Sequence, residues 1–454
     1  MQRILIRNAT LVTMAATPGD PAGVVRADLL VEGERIARIG PAIVVADVQV
    51  IDATGFIVTP GFINAHMHTW QTALRGVAAN WTLLEYFKHV HAGLATHFTP
   101  ADIGIATLMG ALNQINCGTT TLVDWCHNNP TPEHTDAGVD GLIESGIRAA
   151  FFHGSPKPDP KPGQAPFWEV PHPRAEVRRL MQRLPANGGK VTLGMAILGP
   201  HYSTLEVALA DFALAREFGL IASMHQGGGD ARAPEGWDVL ESRGLLGANV
   251  NIVHGNNLSE AQLRRFVDLG MSFAVTPESE MTQGHGHPIT GRLRAFGAAP
   301  SLGVDLESGC SGEMFTVARI ALGHQRALDN AEYRAAHATI APTSTIRTHE
   351  ALAWITTAGA NMLGMGERIG SLAAGKQADL VMIRADDLNM FPLHDAVNAV
   401  VMQTSLANID SVMIAGQWRK RDGRLLYPNL AARKVELRAS GERILAAMNL
   451  GAAA

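Results

Sequence analysis

Val58-Thr59-Pro60-Gly61-Phe62-Ile63-Asn64-Ala65-His66-Met67-His68 decides the reading of this chain. An apolar run entered through Pro-Gly predicts a short buried strand, and its end delivers two histidines separated by one residue. Alternate side chains of an extended backbone point the same way, so both imidazoles can reach one metal ion. The spacing alone is weak evidence, because His-x-His occurs three times among 18 histidines. His89-Val90-His91 falls in an amphipathic helical pattern, where residues two apart diverge, and predicts a packing or solvated role. His285-Gly286-His287 lies in a glycine-rich loop and stays open.

Outward from that strand, the 454 residues suffice for one large α/β domain and a smaller one. Hydrophobic residues make up 46% and charged residues 17%, which predicts a compact interior rather than disorder. The formal net charge is −5 and no basic stripe is present, so nucleic acid is not the expected partner. The opening residues alternate like a strand and lack a signal-peptide pattern, and no apolar run is long enough to span a membrane. Three cysteines without a Cys-x-x-Cys spacing argue against a disulfide scaffold. A cytoplasmic protein is expected.

Residues 1–57 read as short strands and hairpin turns, the first part of a small β-sandwich domain. A helix-rich insertion occupies roughly residues 69–116. Strand-like segments then recur at 119–124, 148–152, 191–198, 221–225, 250–254, 271–275 and 300–305, with helical patterns between most of them. Counting the first strand, these are eight β-then-α units, the count of a (β/α)₈ TIM-like barrel over residues 58–365. Residues 352–362 read as one helix, residues 366–430 return to β segments that complete the small domain, and 431–454 form a C-terminal helix. A barrel carries its site at the C-terminal strand ends. His66 and His68 end the first strand, His225 the fifth, His254 the sixth and Asp305 the eighth.

The motifs Pro60 to His68, Leu74-Arg75-Gly76, Gly118-Thr119-Thr120-Thr121, Ser223-Met224-His225, Val253-His254-Gly255, Gly303-Val304-Asp305 and Gly370 to Leu380 cover nearly the whole chain. Through them it resembles the amidohydrolase superfamily, in its mononuclear branch of cytosine, guanine and S-adenosylhomocysteine deaminases and s-triazine hydrolases. The resemblance implies that His66, His68, His225 and Asp305 hold one divalent metal ion, Zn²⁺ first and Fe²⁺ as the alternative. It implies that His254 stands beside the attacking water or the substrate oxygen, and that Asp305 takes the water proton and passes it to the leaving group. The fourth strand ends in Leu198-Gly199-Pro200-His201, without the bridging Lys of binuclear members, so one metal is expected.

One departure stands out. Deaminases of this branch carry a Glu three residues after the fifth-strand His, and here that position is Gly228. After the seventh strand come Glu278 and Glu280, read as a substitute proton donor, a substrate clamp or strand-end surface charges, with Glu278 the stronger candidate for a catalytic role. Further candidates for substrate contact are His201, Gln226, His285, His287 and Trp70, with Trp81 beside Trp70 as a second ring wall. The expected activity is metal-dependent hydrolysis of a C–N bond in a small cyclic or heteroaromatic compound. Deamination or s-triazine-type displacement with a substituted proton donor is the alternative. A metal-dependent lyase or isomerase and a non-catalytic scaffold are the rivals from other classes. The resemblance also implies a homodimer or larger homo-oligomer.

Overall fold

The computed structural model describes residues 2–184 and 189–449. Its barrel strands are, in chain order, Phe62–Met67, Thr119–Cys126, Arg148–Gly154, Val191–Ile197, Ala222–Gln226, Val250–His254, Ser272–Val275 and Ser301–Leu302. Each pairs in parallel with the next, giving the eight-stranded sheet expected. Most of these strands are buried along their full length, as strands covered by helices on one side and a filled barrel on the other must be.

The barrel closes between its eighth and first strands. Met67 bridges Asp305, the His68 amide donates to the Asp305 carbonyl at 2.7 Å, and the Asp305 amide donates to the His66 carbonyl at 2.9 Å. Gly303 makes this approach possible, since a Cβ there would sit 2.6 Å from the His66 carbonyl oxygen.

The surrounding helices start where local chemistry starts them. Thr99 caps the helix Pro100–Asn116 by accepting the Asp102 amide, while the Asp102 carboxylate accepts the Thr99 amide at 2.7 Å. Ser259 and Gln262 make the same reciprocal pair before Glu260–Asp268. The single helix expected over residues 352–362 is instead two, Thr348–Trp354 and Thr357–Met362. The break frees the Ile355 carbonyl, which accepts the Ile63 amide of the first barrel strand at 2.8 Å.

The small domain is built from both parts of the chain, as one nine-stranded mixed sheet. Arg3–Val12 joins its strands, hydrogen-bonding along one edge to both Gln49–Asp52 and Phe56–Pro60. Phe56–Pro60 also pairs antiparallel with Leu380–Arg384. Residues 58–60 therefore belong to this sheet, and the barrel begins after Gly61 rather than at 58. The C-terminal helix runs Leu430–Ala447, and residues 450–454 of the expected 431–454 lie outside the described residues. Among the described residues no helix is long and apolar enough to cross a membrane.

Barrel and sheet are locked by one buried ion pair. Arg148, on the third barrel strand, donates to both carboxylate oxygens of Asp379 at 2.7 and 3.2 Å and to Gln377 at 3.0 Å. Asp379 also accepts the Ala415 amide at 2.6 Å, and its own carbonyl accepts Gly61. Removing one partner of such a pair leaves an uncompensated buried charge. Arg148→Met should cost about 3–5 kcal/mol in denaturant unfolding. Arg148→Met combined with Asp379→Asn should recover much of that loss.

Candidate metal centre and its cavity

The strand ends deliver four side chains to one point. His66, His68, His225 and Asp305 each offer a donor atom, and these atoms lie within 4.8 Å of one another. Asp305 Oδ1 stands 3.3 Å from Nε2 of both His66 and His68, and His225 Nε2 stands 3.2 Å from His66 Nε2. Burial pushes the imidazole of His66 down, that of His68 down to about 3, and that of His225 well below its usual range. All three are therefore neutral at pH 7. Burial opposes the ionised form of Asp305, yet the His66 hydrogen bond and the neighbouring imidazoles hold it ionised, far below the ordinary carboxylate range.

This donor set fits a divalent ion: three neutral imidazoles and one carboxylate converge from rigid strand ends. The tautomer of His68 fits as well. Its Nδ1 lies 2.7 Å from the Trp125 carbonyl, an acceptor only, so Nδ1 carries the proton and the Nε2 lone pair faces the site.

His254 and Asp305 are both in the left-handed region, at φ +67° and +71°. Non-glycine residues rarely sit there, and such strain is characteristic of functional positions. His254 Nδ1 contacts Glu280 Oε1 at 3.2 Å and Thr276 Oγ1 at 3.0 Å. Glu280 is fully buried and also accepts the Thr276 amide at 2.8 Å and Asn256 at 3.1 Å. Burial works against a charged His254, but the Glu280 hydrogen bond and the nearby Asp305 charge prevail and raise it above its ordinary value.

The two carboxylates after the seventh strand thus occupy different places. The helix Pro277–Gln283 begins at once, and residues two apart on a helix diverge. Glu280 faces His254, whereas Glu278, the favoured candidate, turns to the Ser311 amide and hydroxyl at 3.1 and 3.0 Å.

A narrow cavity opens over the cluster. This slot holds about 370 Å³ of empty space. His68, His225, His254 and Asp305 form part of its lining, and Tyr86, Phe87, His91, His127, Lys157, Tyr202 and His285 form most of the rest. The remaining sequence candidates divide. His285 lines the slot with its ring 4.5 Å from that of His254, and burial holds it neutral, down to about 4. His287 is exposed and pairs with His324 at 2.9 Å, outside the lining. His201 and Gln226 are buried behind it: His201 Nε2 donates to the Gly228 carbonyl at 2.9 Å, and Gln226 lies 3.3 Å from His201 Nδ1. Trp70 is fully buried and Trp81 stacks near His89, so neither walls the slot. Its aromatic walls are Tyr86, Phe87 and Tyr202.

Trp70 acts through a neighbour instead. Its indole N–H donates to His127 Nδ1 at 3.2 Å, and His127 Nε2 lies 3.1 Å from His91 Nε2. With Nδ1 accepting, the His127 proton sits on Nε2 and is donated to His91, whose own proton is then on Nδ1. His91 was expected to pack or face solvent. A turn of π-helix over Phe87–His91 brings it inward. Residues not anticipated at the site are His91, His127, Lys157, Tyr86 and Tyr202, and Glu280 was the less favoured of the two carboxylates. His127 follows the second strand and was reachable by the strand-end rule.

At Gly228, the position of the absent Glu, φ is +75° and a Cβ would lie 2.8 Å from Leu83 Cδ2. The loop after the fifth strand is turned by Gly228 and Gly229, both left-handed, and Leu83 of the first-strand insertion fills the space.

The model of the amidohydrolase family matches residues 57–419. An 8-oxoguanine deaminase of Pseudomonas aeruginosa is 29% identical, with 98% of this chain and 100% of the relative covered. A 5-methylthioadenosine/S-adenosylhomocysteine deaminase of Desulforudis audaxviator is 28% identical over 93% of this chain and 95% of its own. Among solved structures, the zinc complex of atrazine chlorohydrolase from Arthrobacter aurescens superposes with a TM-score of 0.83 at 22% identity, covering 96% of this chain and 100% of that one. A zinc-bound adenosine deaminase from Xanthomonas campestris gives 0.80 at 22% identity, with 98% of each chain covered. The matched span runs from the last strand before the barrel, through all eight barrel strands, to the returning strands of the small sheet, and on that extent the chain belongs to the amidohydrolase family, as an enzyme that hydrolyses carbon–nitrogen bonds.

Proposed function

We propose that this protein holds one zinc ion at His66, His68, His225 and Asp305 and uses water to displace an amino or related nitrogen group from a small, flat heteroaromatic ring. The convergence of three neutral imidazoles and an ionised carboxylate within 4.8 Å carries the reading. The aromatic rings of Tyr86, Phe87 and Tyr202 along the slot support a substrate with a flat ring. The 8-oxoguanine deaminase and the atrazine chlorohydrolase to which the chain is similar are named for substrates built on such rings. Three free cysteines suit a reducing, cytoplasmic setting. The homodimer or larger assembly implied by the resemblance is read by light scattering.

A divalent ion in such a donor set supplies Lewis acidity that brings the pKa of water toward neutrality. The chain's own groups supply the rest. Asp305, ionised and beside two imidazoles, takes a proton from water on a carboxylate oxygen and returns it to the departing nitrogen. His254 is held by Glu280 through Nδ1, so its Nε2 is the atom left to donate a proton to the ring nitrogen or the developing oxygen. Glu280 is a positioning residue for His254, in a chain whose fifth-strand loop carries Gly228 in place of the family's usual Glu. The aromatic walls keep the ring flat and limit bulk water.

Elemental analysis of protein purified without added metal should find about one zinc per chain, lost in His68→Ala. Turnover of heteroaromatic amines, followed by ammonia release, should disappear with chelation and return with zinc. Two metals per chain, or none, would overturn the reading. Glu280→Gln should leave zinc content unchanged and lower kcat roughly 10–100-fold, as loss of an orienting hydrogen-bond partner does at metal sites. Glu278→Gln should change kcat by less than about twofold, since a surface-side contact contributes little.

A further inference from the structure

Lys157 sits in the loop after the third barrel strand, between Pro156 and Pro158, and lines the slot together with His225, His91 and Tyr202. Its ammonium lies 5.2 Å from the centre of the Tyr202 ring and 5.6 Å from that of Trp125. Among the described residues no carboxylate oxygen comes within 4.0 Å of it, and no hydrogen bond ties it down. Burial lowers the Lys157 ammonium to about 8, so it remains charged at neutral pH. The slot therefore presents an ammonium that no carboxylate of the described residues pairs.

A cation partly withdrawn from water without a counter-charge carries a desolvation cost, and aromatic faces return only part of it. An anion entering the slot supplies the remainder through a charge-assisted hydrogen bond. A neutral ring of the same shape offers at most a neutral acceptor, the weaker partner of an ammonium, which selects against it. We propose that Lys157 anchors an anionic group of the substrate, so that the ring taken by this site carries a carboxylate or an ionised ring oxygen. The inference rests on the slot being the substrate site of the hydrolase described above.

The test uses flat rings matched for shape and differing in charge: benzoate against benzamide, and the barbiturate anion against uracil. Each is titrated calorimetrically into the zinc-loaded enzyme and into its metal-free form. At least one anion should bind tenfold or more tightly than its neutral partner. Which pair shows the preference distinguishes a carboxylate from a ring oxyanion. The preference should vanish in Lys157→Met and persist in Lys157→Arg, with zinc content and circular dichroism unchanged in both variants. Its persistence in the metal-free wild type would show that the anion is not simply a metal ligand. Equal binding of charged and neutral rings, or a preference that survives Lys157→Met, overturns the inference. A Lys157-dependent preference in a protein that binds no zinc and releases no ammonia would overturn the hydrolase reading while leaving the anion site standing.

Discussion

The Asp305 amide donates to the His66 carbonyl, and the Asp305 carbonyl accepts the His68 amide. These two hydrogen bonds close the barrel, and they also fix the residues whose side chains form the candidate metal centre. Fold and site are therefore one constraint at this seam. Main-chain pairing of the eighth strand's extension with the first sets the distance between a carboxylate and two imidazoles to 3.3 Å. The left-handed backbone at Asp305, which costs of order 1–3 kcal/mol, is sustained because the seam leaves it no alternative. Gly303, pressed against the His66 backbone, permits the strands to meet this closely.

From the seam outward, each group near the centre has its charge or tautomer set by a partner behind it. The Trp125 carbonyl orients His68, Glu280 orients His254, and the Trp70 indole orients His127 and through it His91. The replacement of the family's usual acid at Gly228 belongs to the same logic. A glutamate there would need a left-handed backbone and the space taken by Leu83. A carboxylate does reach the site, from the helix after the seventh strand, where Glu280 lies against His254.

Much of this was legible in the sequence, and the reason lies in periodicity. Barrel strands read as short apolar runs, and the residue at each run's end is placed by the fold, which is how His66, His68, His225, His254 and Asp305 came together on paper. Reading failed where the chain leaves regular structure. Glu278 and Glu280 are two residues apart, and only the start of a helix at Pro277 determines which one faces inward. His91 is turned in by a local π-helix with no sequence period of its own. Trp70 stands behind His127, which lines the slot in its place. Lys157 lies in a proline-rich loop that no alternation describes.

The run of hydrogen bonds from Trp70 through His127 to His91 has a direction. An indole nitrogen can only donate, so every proton along the chain is displaced toward the slot, and His91 ends with Nδ1–H as its donor. Its burial keeps both imidazoles from taking up a further proton near neutrality. That wall of the slot is thus polar in one sense only, and it stays so across the physiological range. Trp70, which does not itself line the slot, thus sets the polarity of one of its walls.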